Sequence, residues 1–178
     1  MESYNFLLIP KENEVSFIDD LFEINGDSKL KFSEVVNVIS LLDHVKPYIP
    51  SDISNSSQPE CYYFYNDSVC IIEIEINSGI IENDGVEELS IRFAVTNPIG
   101  TFQKAIEMCE MISKKLSMLT IDMRLREVID FSDKLQLANS KRAYETKREQ
   151  FYKMYNLLEN SWNKPTHCGK SLFEELRK

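Results

Sequence analysis

Paired carboxylates are the residues of this sequence that most readily suggest chemistry. Glu73 and Glu75 lie two positions apart and alternate with Ile72, Ile74 and Ile76. Residues two apart on a strand share a face, so the pair could bind a cation or perform acid–base catalysis. A catalytic acid needs a desolvated carboxyl group with a raised pKa, whereas glutamates that alternate with buried isoleucines face water. The pattern therefore predicts a solvated sheet face.

Histidines and cysteines are too scattered to indicate a metal site or a nucleophile. His44 and His167 are the only histidines, and His167-Cys168 is the only local pairing of the two residue types. Adjacent side chains generally diverge too far to form a dyad, so we expect an ordinary polar turn there. Three cysteines in or beside apolar segments are expected to be reduced and buried: Cys61, Cys70 and Cys109.

Phosphate-binding and hydrolase motifs are missing from the sequence. It contains no GxxxxGK[ST], GxGxxG, GxSxG, HExxH or EF-hand pattern, and its five glycines offer little material for a phosphate-binding loop. We therefore expect a protein that is not an enzyme and that uses neither a cofactor nor a metal ion.

The charge is polarised along the chain. Residues 1–100 carry 18 acidic and 5 basic side chains, whereas residues 101–178 carry 11 and 15. Such asymmetry favours electrostatic recognition of a partner, because carboxylates pair with Lys and Arg and aromatic side chains supply anchors. The predicted binding surface for a basic protein consists of Glu73, Glu75, Glu82, Asp84, Glu87, Glu88, Tyr63 and Tyr65.

A basic and aromatic C-terminal helix offers two competing functions. Lys141, Arg142, Lys147, Arg148 and Lys153 lie among Tyr144, Phe151 and Tyr152. This mixture occurs in nucleic-acid-binding proteins, but a pI near 4.8 argues against a phosphate-backbone binder. The aromatic stripe could also be the oligomer interface of a phage or mobile-element structural protein. The plainer interpretation is an amphipathic helix that packs on the core.

The N-terminal elements must position any site. Residues 4–9 read as a strand that Pro10 ends. Asn13 can cap a helix with Phe17, Ile18, Leu21 and Phe22 at helical spacing and a stop at Asn25-Gly26. A second helix is predicted over residues 32–45, ended by Pro47.

The remaining pattern predicts strands followed by helices. Residues 62–65 and 69–76 form a predicted hairpin, and residues 88–96 form a strand. Asn97-Pro98 fits an N-cap and first turn of a helix that runs to about Leu116. A strand through residues 119–123 then completes a βαβ-sized unit, whose two strands should run parallel.

The C-terminal part is predicted to be mainly helical. A long helix begins at Ser132 or Asp133 and ends at residues 163–165, and residues 170–177 add a short last helix. Its aromatic stripe consists of residues that recur every three or four positions: Tyr144, Arg148, Phe151, Tyr155, Leu158 and Trp162.

These elements predict one α+β domain over residues 1–178, with a mixed sheet of about five strands packed by helices and a long C-terminal helix. The polar residues 50–59 are the best candidate for a mobile loop. We expect a cytoplasmic protein, monomeric or homodimeric, because the sequence offers neither a signal peptide nor a membrane-spanning stretch.

A family resemblance concerns residues 60–130. The stretch Glu88-Leu-Ser-Ile-Arg-Phe-Ala-Val-Thr-Asn-Pro98, then a helix, then Leu119-Thr-Ile-Asp-Met-Arg124, resembles bacterial polymorphic-toxin immunity proteins. No motif allows functional residues to be carried across. The resemblance implies a cytosolic inhibitor without enzymatic activity that binds a cognate toxin domain. The expected partner is therefore a protein rather than nucleic acid or a membrane.

Overall fold

The computed structural model describes residues 2–18, 21–26, 28–48, 61–78, 85–158 and 163–168. The strands are β1 (Ser3–Pro10), β2 (Glu14–Ile18), β3 (Leu21–Asn25), β4 (Val45–Pro47), β5 (Tyr62–Asn66), β6 (Ile71–Ser78), β7 (Val86–Ala94), β8 (Met118–Asp122) and β9 (Glu127–Val128). The helices are α1 (Phe32–Ser40), α2 (Thr101–Leu116) and α3 (Lys134–Met154). The predicted α+β class is confirmed.

Seven of the strands form one sheet in the order β4-β5-β6-β7-β1-β8-β9. Every neighbouring pair is antiparallel, so the prediction of a mixed sheet of about five strands was wrong in both respects. Strands β7 and β8 both run antiparallel to β1, which lies between them. They are therefore parallel to each other, as the βαβ-sized unit predicted, without being neighbours.

The central strand β1 is buried on both faces of the sheet. Tyr4, Phe6 and Leu8 point to the side on which α1 and α2 pack, and they join the main core there. Leu7 and Ile9 point to the opposite side and join a second, smaller cluster. Burial on both faces explains why the segment reads as a nearly continuous apolar run.

A two-stranded hairpin, β2–β3, covers one half of the opposite sheet face. Val15, Phe22 and Ile24 of the hairpin pack against the cluster of Leu7 and Ile9. The prediction of an Asn13-capped helix with Phe17, Ile18, Leu21 and Phe22 was therefore wrong, because this segment also supports a two-residue period. Gly26 follows the hairpin at a φ of +148°, where a Cβ atom would lie 2.6 Å from Asn13 Oδ1.

Helices α1 and α2 each differ from the prediction at one boundary. Helix α1 ends at Ser40, and Val45–Pro47 pairs with β5 instead of extending the helix. Helix α2 has Gly100 as its N-cap, so Asn97 does not cap it. The buried apolar side chains of α2 extend from Phe102 to Ile112.

Helix α3 begins where the sequence predicted, because Asp133 accepts hydrogen bonds from the N–H groups of Leu135 and Gln136. The Tyr144 ring is fully buried and stacks on Phe102 with ring centroids 5.4 Å apart. The helix ends at Met154, earlier than predicted.

Several predictions fall on other parts of the chain. The polar loop at 50–59, Trp162 and the last helix at 170–177 lie outside the described residues. Across the described ranges, none of the three helices has the length and apolar character needed to cross a membrane.

Candidate functional site

The half of the sheet face that the β2–β3 hairpin does not cover carries polar side chains. Cross-strand register places Phe64, Glu73 and Arg92 in one row and Tyr62, Glu75 and Ser90 in the next. A third row pairs Asn77 with Glu88. We call these eight residues the polar face. Period-two alternation in β5, β6 and β7 produces this face, because the intervening residues belong to the core.

Glu73 lies between Phe64 and Arg92 in the first row of the polar face and is buried, with 3% of its surface exposed. Its Oε2 accepts a hydrogen bond from Arg92 Nε at 3.0 Å, and Arg92 Nη1 lies 3.4 Å from Glu75 Oε2. The prediction that Glu73 and Glu75 form a solvated pair was therefore wrong for Glu73. Its burial is sustained by charge-assisted hydrogen bonds.

A C-terminal segment, residues 163–168, covers this carboxylate. Glu73 Oε1 accepts the N–H of Cys168 at 3.0 Å and lies 3.0 Å from His167 Nδ1. The imidazole stacks on Tyr48 with centroids 5.4 Å apart, and it meets Phe64 edge-on at the same distance. The prediction of an ordinary polar turn at His167-Cys168 was wrong.

Asn97 fixes the same segment at the position before His167. Its amide nitrogen donates to the Thr166 carbonyl oxygen at 2.8 Å, and its Oδ1 accepts the Thr166 N–H at 3.2 Å. The same Oδ1 accepts the Ile71 N–H at 3.0 Å. The Asn97 side chain is thus buried as a hydrogen-bonding bridge between β6 and the C-terminal segment.

The electrostatics of this cluster favour binding of the C-terminal segment over catalysis. Burial on its own raises the pKa of Glu73, but hydrogen bonds from His167 and Arg92 outweigh it and hold that pKa below its ordinary value. Burial and the nearby Glu73 charge raise the pKa of the Cys168 thiol well above its ordinary value. A protonated thiol is a poor nucleophile. In the described part of the chain, no three His, Cys, Asp or Glu side chains are arranged to hold a metal ion.

Three carboxylates of the predicted binding surface remain accessible, and we call Glu75, Glu87 and Glu88 the carboxylate cluster. Glu87 is exposed, and the other two are half-buried. Burial raises the pKa of Glu88, and the charges of Glu87 and Glu75 raise it further, against a hydrogen bond from the Asn77 amide. The Asn77 hydrogen bond therefore does not fully offset the burial and the like charge around Glu88.

Two tyrosines of the predicted surface lie on the core side of the sheet. Tyr63 and Tyr65 are 6% and 7% exposed and belong to the main core, so their prediction as partner anchors was wrong. Their register partners are Ile74 and Ile72, and strict alternation would have placed them on the apolar side. The tyrosine opposite Glu75 is Tyr62. Glu82 and Asp84 lie outside the described residues.

The basic and aromatic side chains of α3 are largely engaged within the protein. Arg148 is buried and donates to the carbonyl oxygens of Val95 and Asn97. Lys147 Nζ lies 2.8 Å from a Glu2 carboxylate oxygen and donates to the Ser3 carbonyl. Tyr144, Phe151 and Tyr152 are buried, which favours the interpretation as a packing helix.

Comparison with protein-family models, with curated proteins and with solved structures finds no match to this chain.

Proposed function

We propose that this chain is a non-enzymatic inhibitor of the immunity-protein type, which acts in the cytosol by binding and occluding a basic toxin domain. The observation that carries the proposal is the carboxylate cluster, where burial raises the pKa of Glu88 and the neighbouring charges of Glu87 and Glu75 raise it further. Like charges held together are stabilised by an incoming cation, so Lys and Arg side chains of a partner gain more here than at an isolated carboxylate.

The surroundings of the cluster support the same role. Arg92 contacts both Glu75 and the buried Glu73, so it neutralises only part of the Glu75 charge, and the rest can attract a partner. Tyr62 lies directly opposite Glu75 and adds a half-buried aromatic ring beside the acidic groups. Aromatic rings beside charged groups are common at the centres of protein interfaces. The acidic excess of residues 1–100 extends this attraction over a longer range and speeds encounter with a basic partner.

Coexpression with the product of the adjacent reading frame tests the proposal. We expect wild-type protein to restore growth of cells that express this product and to form a complex with it. The triple variant Glu75→Lys, Glu87→Lys and Glu88→Lys should weaken the complex by at least about 100-fold, mainly through lost charge pairs. Its affinity should also depend less on salt concentration.

A matched control carries the same change of net charge elsewhere. Glu12, Glu14 and Glu23 are exposed on and before the β2–β3 hairpin, and their joint replacement by Lys should leave affinity within about threefold of wild type. Unchanged affinity in the carboxylate-cluster variant, or an equal loss of affinity in both variants, refutes the proposal that the carboxylate cluster binds the partner. Light-scattering mass measurement of the complex then gives its stoichiometry.

A further inference from the structure

The C-terminal segment is held in the way that a receptor holds an extended peptide. Three of its main-chain groups are bound by side chains of the sheet domain: the N–H and carbonyl of Thr166 by Asn97, and the N–H of Cys168 by Glu73. Recognition of main-chain groups gives affinity for an extended segment whatever its side chains are.

One side chain of the segment is recognised separately. The imidazole of His167 lies against the rings of Tyr48 and Phe64 while its Nδ1 meets Glu73 Oε1 at 3.0 Å. An aromatic site closed by a carboxylate selects a ring that can donate a hydrogen bond or carry positive charge. The flanking residues Thr166 and Cys168 are buried.

The receptor side chains are positioned by contacts that do not involve the segment. Arg92 holds the second oxygen of Glu73. Asn97 is fixed by the Ile71 N–H and by donation to the Ala94 carbonyl at 3.2 Å. Because these groups are anchored within the sheet domain, they stay arranged when the segment leaves, and such pre-organisation is typical of a binding site.

We propose that Glu73 and Phe64 of the polar face form, together with Asn97 and Tyr48, a receptor for an extended peptide that carries an imidazole, and that residues 163–168 are its internal ligand. A protein partner that presents such a segment binds by displacing this internal ligand. A tethered ligand competes at an effective concentration in the millimolar range, so external peptides bind weakly until the tethered copy is weakened. This receptor uses none of the three residues of the carboxylate cluster, although Arg92 contacts both Glu73 and Glu75.

Binding of a capped fluorescent peptide with the sequence of residues 163–168 to the full-length chain, under reducing conditions, tests the receptor. The chain variant His167→Ala weakens only the internal ligand, so it should bind the peptide at least about tenfold more tightly than wild type does. A lost hydrogen bond to a charged group is worth roughly this factor. A peptide with alanine at the histidine position should bind His167→Ala no more tightly than it binds wild type.

Receptor-side variants separate specific from nonspecific binding. Adding Glu73→Gln to His167→Ala should weaken peptide binding about tenfold, whereas adding Glu127→Gln at an exposed position in β9 should leave it unchanged. Equal peptide affinity in wild type and His167→Ala, or loss of binding in the Glu127→Gln control alone, overturns the proposal.

Hydrogen exchange in the wild-type chain gives a readout that needs no variant. Millimolar histidine-containing peptide should accelerate exchange of the Thr166 and Cys168 amides at least about fivefold by displacing the internal ligand, whereas the alanine peptide should not. Unchanged exchange with both peptides overturns the proposal even if His167→Ala does not fold.

Discussion

Asn97 pairs its side-chain amide with both main-chain groups of Thr166, donating to the carbonyl oxygen at 2.8 Å and accepting from the N–H at 3.2 Å. A carboxamide offers one donor side and one acceptor side, so it can bind a peptide group as a neighbouring strand would. Both residues are buried. The pair fastens the C-terminal segment beside the end of β7.

Replacing Asn97 by Ala should destabilise the protein by about 3 kcal/mol, because buried main-chain groups of Thr166 and Ile71 lose their partner. Urea unfolding followed by circular dichroism measures this change. The matched variant Asn139→Ala removes an exposed amide on α3 and should change stability by less than about 0.5 kcal/mol. Similar values for the two variants would contradict the bridging role of Asn97.

Glu73 should make stability depend on pH in the acidic range. Its pKa is lower in the folded than in the unfolded chain, so the unfolded chain takes up the proton first as the pH falls. The carboxylate therefore stabilises the fold above the ordinary glutamate pKa of about 4.3, and this contribution disappears as the pH falls through the folded pKa.

The variant Glu73→Gln tests this dependence in urea unfolding at several pH values. At pH 7 we expect a loss of about 2 kcal/mol relative to wild type, and this difference should shrink as the pH falls below about 4. Glu127→Gln, at an exposed position in β9, should keep the wild-type pH profile. A difference in the free energy of unfolding between Glu73→Gln and wild type that stays constant from pH 7 to pH 3 would contradict a lowered pKa of Glu73 in the folded chain.

Local patterns predicted the polar face better than the hairpin beside it. Alternation placed Glu73 and Ile74 on opposite sides of β6, as the structure has them. Phe17, Ile18, Leu21 and Phe22 fit a helical spacing, whereas Val15 with Phe17 and Phe22 with Ile24 alternate within the two arms of the hairpin. The two-residue spacing wins because Val15, Phe22 and Ile24 can then cover Leu7 and Ile9 on the sheet, a tertiary contact that no local pattern contains.

The contact of the C-terminal segment with Glu73 could not be predicted from the sequence, for a related reason. His167 and Cys168 lie 94 and 95 residues further along the chain, in a stretch without strong periodicity. Alternation alone gives the side of the sheet on which a residue lies, and it does not say whether water or another segment occupies that side. The buried position of Glu73 therefore emerged only from the tertiary fold.

Tyr4 should contribute to stability through its hydroxyl group. Tyr4 Oη donates to Asp122 Oδ2 at 2.7 Å, and both residues are buried. Asp122 also accepts the hydroxyl of Ser140, which joins β8 to α3. Tyr4→Phe should therefore cost about 2 kcal/mol in urea unfolding, since the buried carboxylate loses one of its donors.

The half-exposed Tyr155 provides the control for Tyr4. Tyr155→Phe at the end of α3 removes a hydroxyl from a side chain that retains solvent contact, and it should change stability by less than about 0.5 kcal/mol. Equal effects of the two substitutions would show that the Tyr4–Asp122 hydrogen bond adds nothing to stability.

Thiol reactivity should report the state of the C-terminal segment. Burial raises the pKa of Cys70 to about 11 and those of Cys109 and Cys168 further, whereas Cys61 is only half-buried. Iodoacetamide reacts with thiolates, so at pH 8 we expect Cys61 to be modified at least about tenfold faster than the other three. Peptide mass spectrometry over a time course measures the four rates.

His167→Ala should change only one of these rates. Loss of the imidazole weakens the hold on the segment, so Cys168 is exposed more often and its modification should accelerate at least about fivefold. Cys70 and Cys109 lie in the main core and serve as internal controls for global unfolding, so their rates should stay at the wild-type value. Acceleration at all three cysteines would mean that the variant loosens the whole fold, and no acceleration at Cys168 would mean that Asn97 and the Cys168 main chain hold the segment without His167.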